Sequence, residues 1–257
     1  MNKRGQMTIF LIIGIILIAI AIILFFLNKQ DILNPNQIEV DKKEFLQTCI
    51  EERITETVNL IAIQGGSINP TLKKTYDLED GLGKKNISIL CYNQNFYTPC
   101  INQEPMLVNH VREEIEKNIS QDVKQCFDDL VISLNKKGFE TSALYKGFEI
   151  KLQPDKVILE IYGEITTTRT DETKKEKDFE IIVKSKFYNL IIVAQEILSQ
   201  EARFCHFENL GYMLFYKNFN IDKFKTGDFY TFYTVEDRDS QEKFRFAIRG
   251  CAIPPGI

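Results

Sequence analysis

Residues 7–27 read MTIFLIIGIILIAIAIILFFL, 21 residues without a charge. Sixteen of them are Ile, Leu or Phe, and about 20 apolar residues are what a helix needs to cross the hydrocarbon core of a bilayer. At roughly −0.3 to −0.6 kcal/mol each on an insertion scale, these side chains favour membrane entry by about 5–10 kcal/mol. A buried core helix is apolar all round over only about 10–14 residues. The run therefore reads as a transmembrane helix, and the rest of the chain as a body hung on it. The expected fold class is α+β: an N-terminal transmembrane helix, then a helical segment followed by a mostly antiparallel sheet with one covering helix. A removable secretory signal has a shorter apolar region ending at small residues. This run ends instead in Phe25-Phe26-Leu27-Asn28-Lys29-Gln30, so the helix stays attached.

Ahead of the helix stands a six-residue leader, Met1-Asn2-Lys3-Arg4-Gly5-Gln6. Two cations, Gly, Gln and a long apolar run resemble the class III signal peptides of archaeal pilin-like proteins. That resemblance covers about the first 27 residues. It implies a prepilin-type peptidase as partner, cutting between Gly5 and Gln6 and keeping the helix. The acidic residue that many pilins carry in the helix to aid assembly is here Phe10. The alternative is an uncleaved signal anchor, with Lys3 and Arg4 holding the N-terminus in the cytoplasm.

Composition bounds the partners. Without Lys3 and Arg4 the chain keeps 30 basic against 36 acidic residues, a net of −6. With no concentrated basic patch, nucleic acid is excluded as a partner. Six cysteines (Cys49, Cys91, Cys100, Cys126, Cys205, Cys251) are spread over the body in an even number, as disulfides in an oxidising compartment would be. Two glycosylation sequons, at Asn86 and Asn118, are compatible with that. The expected location is the cell membrane, single-pass, with the body extracytoplasmic. The lipid bilayer is then a partner, and a homo-oligomer or other surface proteins are possible ones.

Residues 28–38 form a polar linker with a helix-breaking Asn34-Pro35-Asn36. In the helical part of the body (39–138), Asp41 and Glu44 make a capping-box-like pair. Leu46, Ile50, Ile54, Val58 and Ile61 form one apolar face, and Gly65-Gly66 supply the positive φ of a helix end. Residues 67–103 read as irregular with one strand, 87–92. After Pro105, the positions Leu107, Val111, Ile115, Ile119, Val123, Phe127, Leu130 and Leu134 keep helical period until Lys136-Lys137-Gly138. The runs Phe45-Leu46-Gln47-Thr48-Cys49-Ile50, Gln64-Gly65-Gly66 and Glu116-Lys117-Asn118-Ile119, with Cys126, resemble a group of uncharacterised archaeal membrane-anchored proteins. That likeness spans roughly residues 1–165 and implies no activity.

In the β-rich part (139–257) the period becomes two. Strands are expected over 144–152, 156–165 and 179–183, with 166–177 a polar hairpin tip. A helix over 188–203 buries Ile191, Ala194, Ile197 and Leu198. A last hairpin pairs 228–235 with 243–249. Cys91 and Cys100 bracket a short loop containing Pro99. Cys49 and Cys126 lie on the apolar faces of two helices that should pack together. Cys205 and Cys251 remain as the third pair.

Candidate chemistry is thin. Two histidines, His110 and His206, exclude a His-rich metal site, and Cys205-His206 lacks further ligands at the needed spacing. Nucleophile-elbow, phosphate-loop and zincin motifs are absent from the sequence. No catalytic residue, cofactor or metal is therefore expected. The aromatic run Phe229-Tyr230-Thr231-Phe232-Tyr233, with Phe244 and Phe246, is either a well-packed strand or a sugar-stacking face. The expected function is a single-pass, membrane-anchored surface protein, structural or pilin-like and without catalysis. The alternative is an anchored, adhesin-like module binding a glycan or protein through the C-terminal half. An enzyme is a third class, for which the sequence offers no constellation of residues.

Overall fold

The structure is a computed structural model describing residues 16–20, 22, 41–77, 81, 83–95, 97–170 and 172–250. The chain divides into two compact units, Met1–Val40 and Asp41–Ile257. In the first, residues 16–20 and 22 are helical and exposed. Among the described residues no helix is long and apolar enough to cross a membrane. Most of the expected span 7–27 lies outside them, as do Gly5, Gln6, Phe10, the linker 28–38 and Cys251.

The second unit is α+β, with mostly antiparallel pairing. It opens with α1, Lys42–Ile63, capped by the Asp41 carboxylate, which accepts from the amides of Lys43 and Glu44 at 2.9 and 3.1 Å. The expected face of Leu46, Ile50, Ile54, Val58 and Ile61 is buried. Gly66 donates back to the Ile61 carbonyl at 2.8 Å. Gly65 has φ +76°, and a Cβ there would meet Ser88 Cβ at 2.9 Å. Only glycine suits that conformation in that space.

Three short strands follow: β1 Lys73–Tyr76, β2 Lys85–Tyr92 and β3 Ile101–Asn102. The sequence pattern showed one strand here. β1 and β3 are too short to carry an alternating pattern, and their antiparallel pairing with β2 defines them. Next comes α2, Leu107–Lys136, with all eight expected apolar positions buried. It runs antiparallel to α1, because Cys49–Cys126 and Thr57–Asn118 link the two in reversed order.

β4 Glu140–Gln153, β5 Lys156–Arg169 and β6 Glu172–Lys184 form a three-stranded antiparallel sheet. The expected loop at 166–177 is corrected here, since the ladder runs on to the pair Arg169↔Glu172. Thr166, Thr167 and Thr168 are good strand formers, and cross-strand Glu164–Lys175 (2.6 Å) holds the polar ribbon. A helix side chain meets each edge strand of this sheet. The Glu116 carboxylate of α2 accepts from Ile150 N at 2.9 Å, and the Gln47 amide of α1 donates to Ile182 O at 2.9 Å.

α3, Phe187–Phe204, is one residue longer at each end than its pattern. Two further elements escaped the pattern: α4 Asn209–Phe215 and β7 Phe219–Lys225. β8 Thr231–Asp237 and β9 Lys243–Arg249 complete the chain's last hairpin, so the strand expected from 228 begins at Thr231. The larger sheet has the order β1-β2-β9-β8-β7, with β3 paired to β2, and β2 runs parallel to β9. Residues from the expected helical part thus pair with the chain's last strand, and the helical and β-rich parts are one body. The expectation of one sheet under one covering helix is likewise corrected. There are two sheets, with α1 and α2 on the smaller, and α3 across the inner face of the larger beside Phe244.

Candidate functional site

Three surfaces and clusters merit a functional reading. The first is a groove of about 490 Å³ between α1, the ends of β5 and β6, and the β8–β9 turn. Ile54, Val58, Val157 and Val183 form its floor, and Asn59, Lys184, Gln241 and Lys243 its rim. Glu242, the one carboxylate among the described residues lining the groove, accepts from Ser185 Oγ at 2.7 Å and from Lys186 N at 3.0 Å. A carboxylate on the Lys186 amide compensates the positive end of α3.

The second is a buried polar cluster beneath α3. Tyr233 is fully buried, and its hydroxyl donates to Glu201 Oε1. Lys223 Nζ reaches the same oxygen at 3.3 Å and the Phe207 carbonyl at 3.1 Å. Its ammonium also lies 5.3 Å from the centre of the Tyr233 ring. Burial, reinforced by the Glu201 charge, holds the Tyr233 phenol well above its ordinary range. Glu201 and Lys223 are only 8% and 13% exposed. The cluster is a satisfied ion pair that fixes α3 to the sheet.

The third is the outer face of the larger sheet. Ile87, Ile89, Phe232 and Ala247 are buried there beneath Tyr76, Tyr92 and Tyr230. Tyr76 stacks on Phe232 at 4.9 Å and meets the half-exposed Phe224 at 5.6 Å. Lys74 stands 4.8 Å over Tyr230, and Arg249 stands 5.7 Å over Tyr92 and 5.9 Å over Tyr230. Lys74 also pairs with Asp228, whose carboxyl that contact holds below its usual range. The result is a row of half-exposed aromatic rings interleaved with cations. Such a row offers stacking and charge-assisted contacts without a reactive group.

The aromatic run singled out in the sequence is divided between two roles. Tyr233, Phe244 and Phe246 face inward and are buried. Phe232 forms the floor of the outer cluster, and Tyr230 lies over it. Tyr76, Tyr92 and Phe224 were missed because the sheet order, which local spacing does not contain, brings them beside Phe232.

Of the cysteines, Cys49–Cys126 and Cys91–Cys100 are bonded as expected, and Cys205 is also in a disulfide. Its expected partner, Cys251, lies outside the described residues. Asn118 is exposed on α2 but donates its amide to Thr57 Oγ1 at 2.8 Å, and Asn86 on β2 accepts from Thr75 Oγ1 at 2.7 Å. Each amide is thus engaged by the fold. His110 contacts Ser67 at 2.8 Å and His206 lies 3.4 Å from Glu208, 96 residues apart in sequence. Among the described residues no three His, Cys, Asp or Glu side chains are grouped to hold a metal. No family model matches the chain, and no curated protein or solved structure is found to be similar to it.

Proposed function

We propose that the chain is a single-pass, membrane-anchored protein whose disulfide-bonded body lies outside the cytoplasm and binds a glycan or protein ligand without catalysis. The observation that carries the binding role is the outer sheet face, where Tyr76, Tyr92, Tyr230 and Phe224 stand half-exposed among Lys74 and Arg249. The location rests on the apolar run 7–27 and on the disulfides, which persist in oxidising compartments. The absence of catalysis rests on how the two buried acids are used: Glu201 is paired with Lys223, and Asp237 accepts from the amides of Asp239 and Ser240.

Two measurements test this reading. Alkylation of unreduced, natively purified chain should modify no thiol, and six modified thiols would remove the extracytoplasmic body. Tyr76→Ala and Phe224→Ala should lower retention on a glycan array or on intact cells while leaving the melting temperature of the body near that of the parent. Retention unchanged in both variants would remove this face as the binding surface.

A further inference from the structure

α4 is apolar on every side. Its inward residues are Tyr212, whose ring is tilted against Phe207 at 5.4 Å, and Met213, whose sulfur accepts from Ile221 N at 3.1 Å. Its outward residues are no more polar: Leu210, Leu214 and Phe215 are 67%, 74% and 85% exposed, and none of its seven residues is buried. Phe204 and Tyr216, 64% and 54% exposed, extend the patch at either end. A helix apolar all round is normally covered, and one of seven residues has little stability of its own. The patch is rimmed by cations: the Arg203 guanidinium lies 5.4 Å over the Phe204 ring, and Lys217 follows Tyr216 in an exposed turn. Two acids lie by the patch: Glu208, held by His206 and capping the first turn of α4, and Glu196, whose charge reaches the inward Tyr212.

We infer that this patch is a lipid-contact surface, which seats the body on the bilayer that anchors it. The inference rests on the anchored reading proposed above. At roughly 200 Å² per large side chain, the five exposures offer about 700 Å², so charge rather than area separates lipid from a second copy. A self-complementary pairing would bring Arg203 and Lys217 of both copies together. Lipid headgroups reverse that sign: Leu and Phe enter the acyl boundary while flanking cations meet phosphates. A body tethered to the same membrane binds at high effective concentration, so a small patch suffices.

The chain has no tryptophan, so Phe215→Trp gives a single reporter. The full-length variant is reconstituted into phosphatidylcholine vesicles containing phosphatidylglycerol, with or without bromine-labelled acyl chains. Alkaline carbonate extraction of the same sample reports the anchor independently. The expected result is loss of most Trp emission in brominated vesicles. Emission should be retained in an Ile132→Trp control on α2, and in Phe215→Trp carrying Leu210→Asp and Leu214→Asp with an unchanged far-UV spectrum. Unquenched emission from carbonate-resistant chain overturns the inference and leaves the anchor standing. Emission that follows protein density rather than bromination assigns the patch to a second copy and also overturns it. If carbonate extracts the chain, the anchored reading fails. Quenching on floated vesicles then still supports lipid contact, and its absence overturns it.

Discussion

The two disulfides whose partners are both described close loops of different length, with sequence separations of 77 for Cys49–Cys126 and 9 for Cys91–Cys100. In the chain-entropy account, cross-linking costs the unfolded state about 2.1 + 1.5R ln n cal/mol/K. At 25 °C this gives roughly 4.5 kcal/mol for the long loop and about 2.6 kcal/mol for the short one. The C49A/C126A chain should therefore be less stable than C91A/C100A by about 2 kcal/mol, roughly thirtyfold in the folding constant. Packing works against that order: Cys91, Cys100 and Cys126 are 0%, 5% and 4% exposed but Cys49 is only half-buried, so truncation should hurt the short-loop pair somewhat more. The ranking therefore isolates the loop term. The assay is equilibrium urea unfolding of the parent and both double variants under non-reducing conditions, followed by far-UV circular dichroism and compared through midpoint and slope. If C91A/C100A proves equally or more destabilised at an unchanged slope, loop closure is not what the α1–α2 bridge contributes, and local packing is.

Lys223→Met should destabilise the body by about 3–5 kcal/mol, because it leaves Glu201 buried without its cation; adding Glu201→Gln should recover much of the loss, and a double variant no better than the single refutes the pairing. Burial holds the Tyr233 phenol above its ordinary value near 10. The folded chain thus keeps a proton that the unfolded chain releases, and stability is full below about pH 10 and falls above it by ~1.4 kcal/mol per pH unit. Tyr233→Phe should reduce that alkaline slope by one proton's worth, as read in urea midpoints across pH, and an unchanged slope counts against it. Gly250→Ala should destabilise by about 1–3 kcal/mol, because its Cβ would stand 2.6 Å from Cys100 Cβ and 2.7 Å from Cys100 N; thermal unfolding near the parent's would show that the two segments separate easily. Peptidase processing should leave Gln6 as the first residue, and N-terminal sequencing that returns Met1 or Asn2 with the peptidase present sinks it.

What the sequence determined by itself is whatever is written in local periodicity. The stripes Leu46–Ile61 and Leu107–Leu134 are long amphipathic helices because 3.6-residue spacing puts their apolar side chains on one face, and the structure buries those positions. Asp41 and Gly65 marked the ends of α1 through capping chemistry confined to neighbouring residues. Two cysteine pairs were legible for the same reason: one closes a short loop, and the other lies on two readable faces.

Only the tertiary structure decided the rest. The ribbon beyond Ile165 is polar on both sides, so no alternation announced it, and its ladder comes from the partner strand. α4 conforms to no amphipathic pattern because both its faces are apolar, which also makes it the candidate contact surface. The parallel pairing of Ile89 with Ala247 joins residues far apart in sequence, and nothing local to either specifies it. That pairing brings Tyr76 and Tyr92 to Tyr230 and Phe232, so the outer aromatic face exists only once the sheet has closed. A site assembled by strand order is invisible to spacing, since spacing records which residues share a face and not which faces meet.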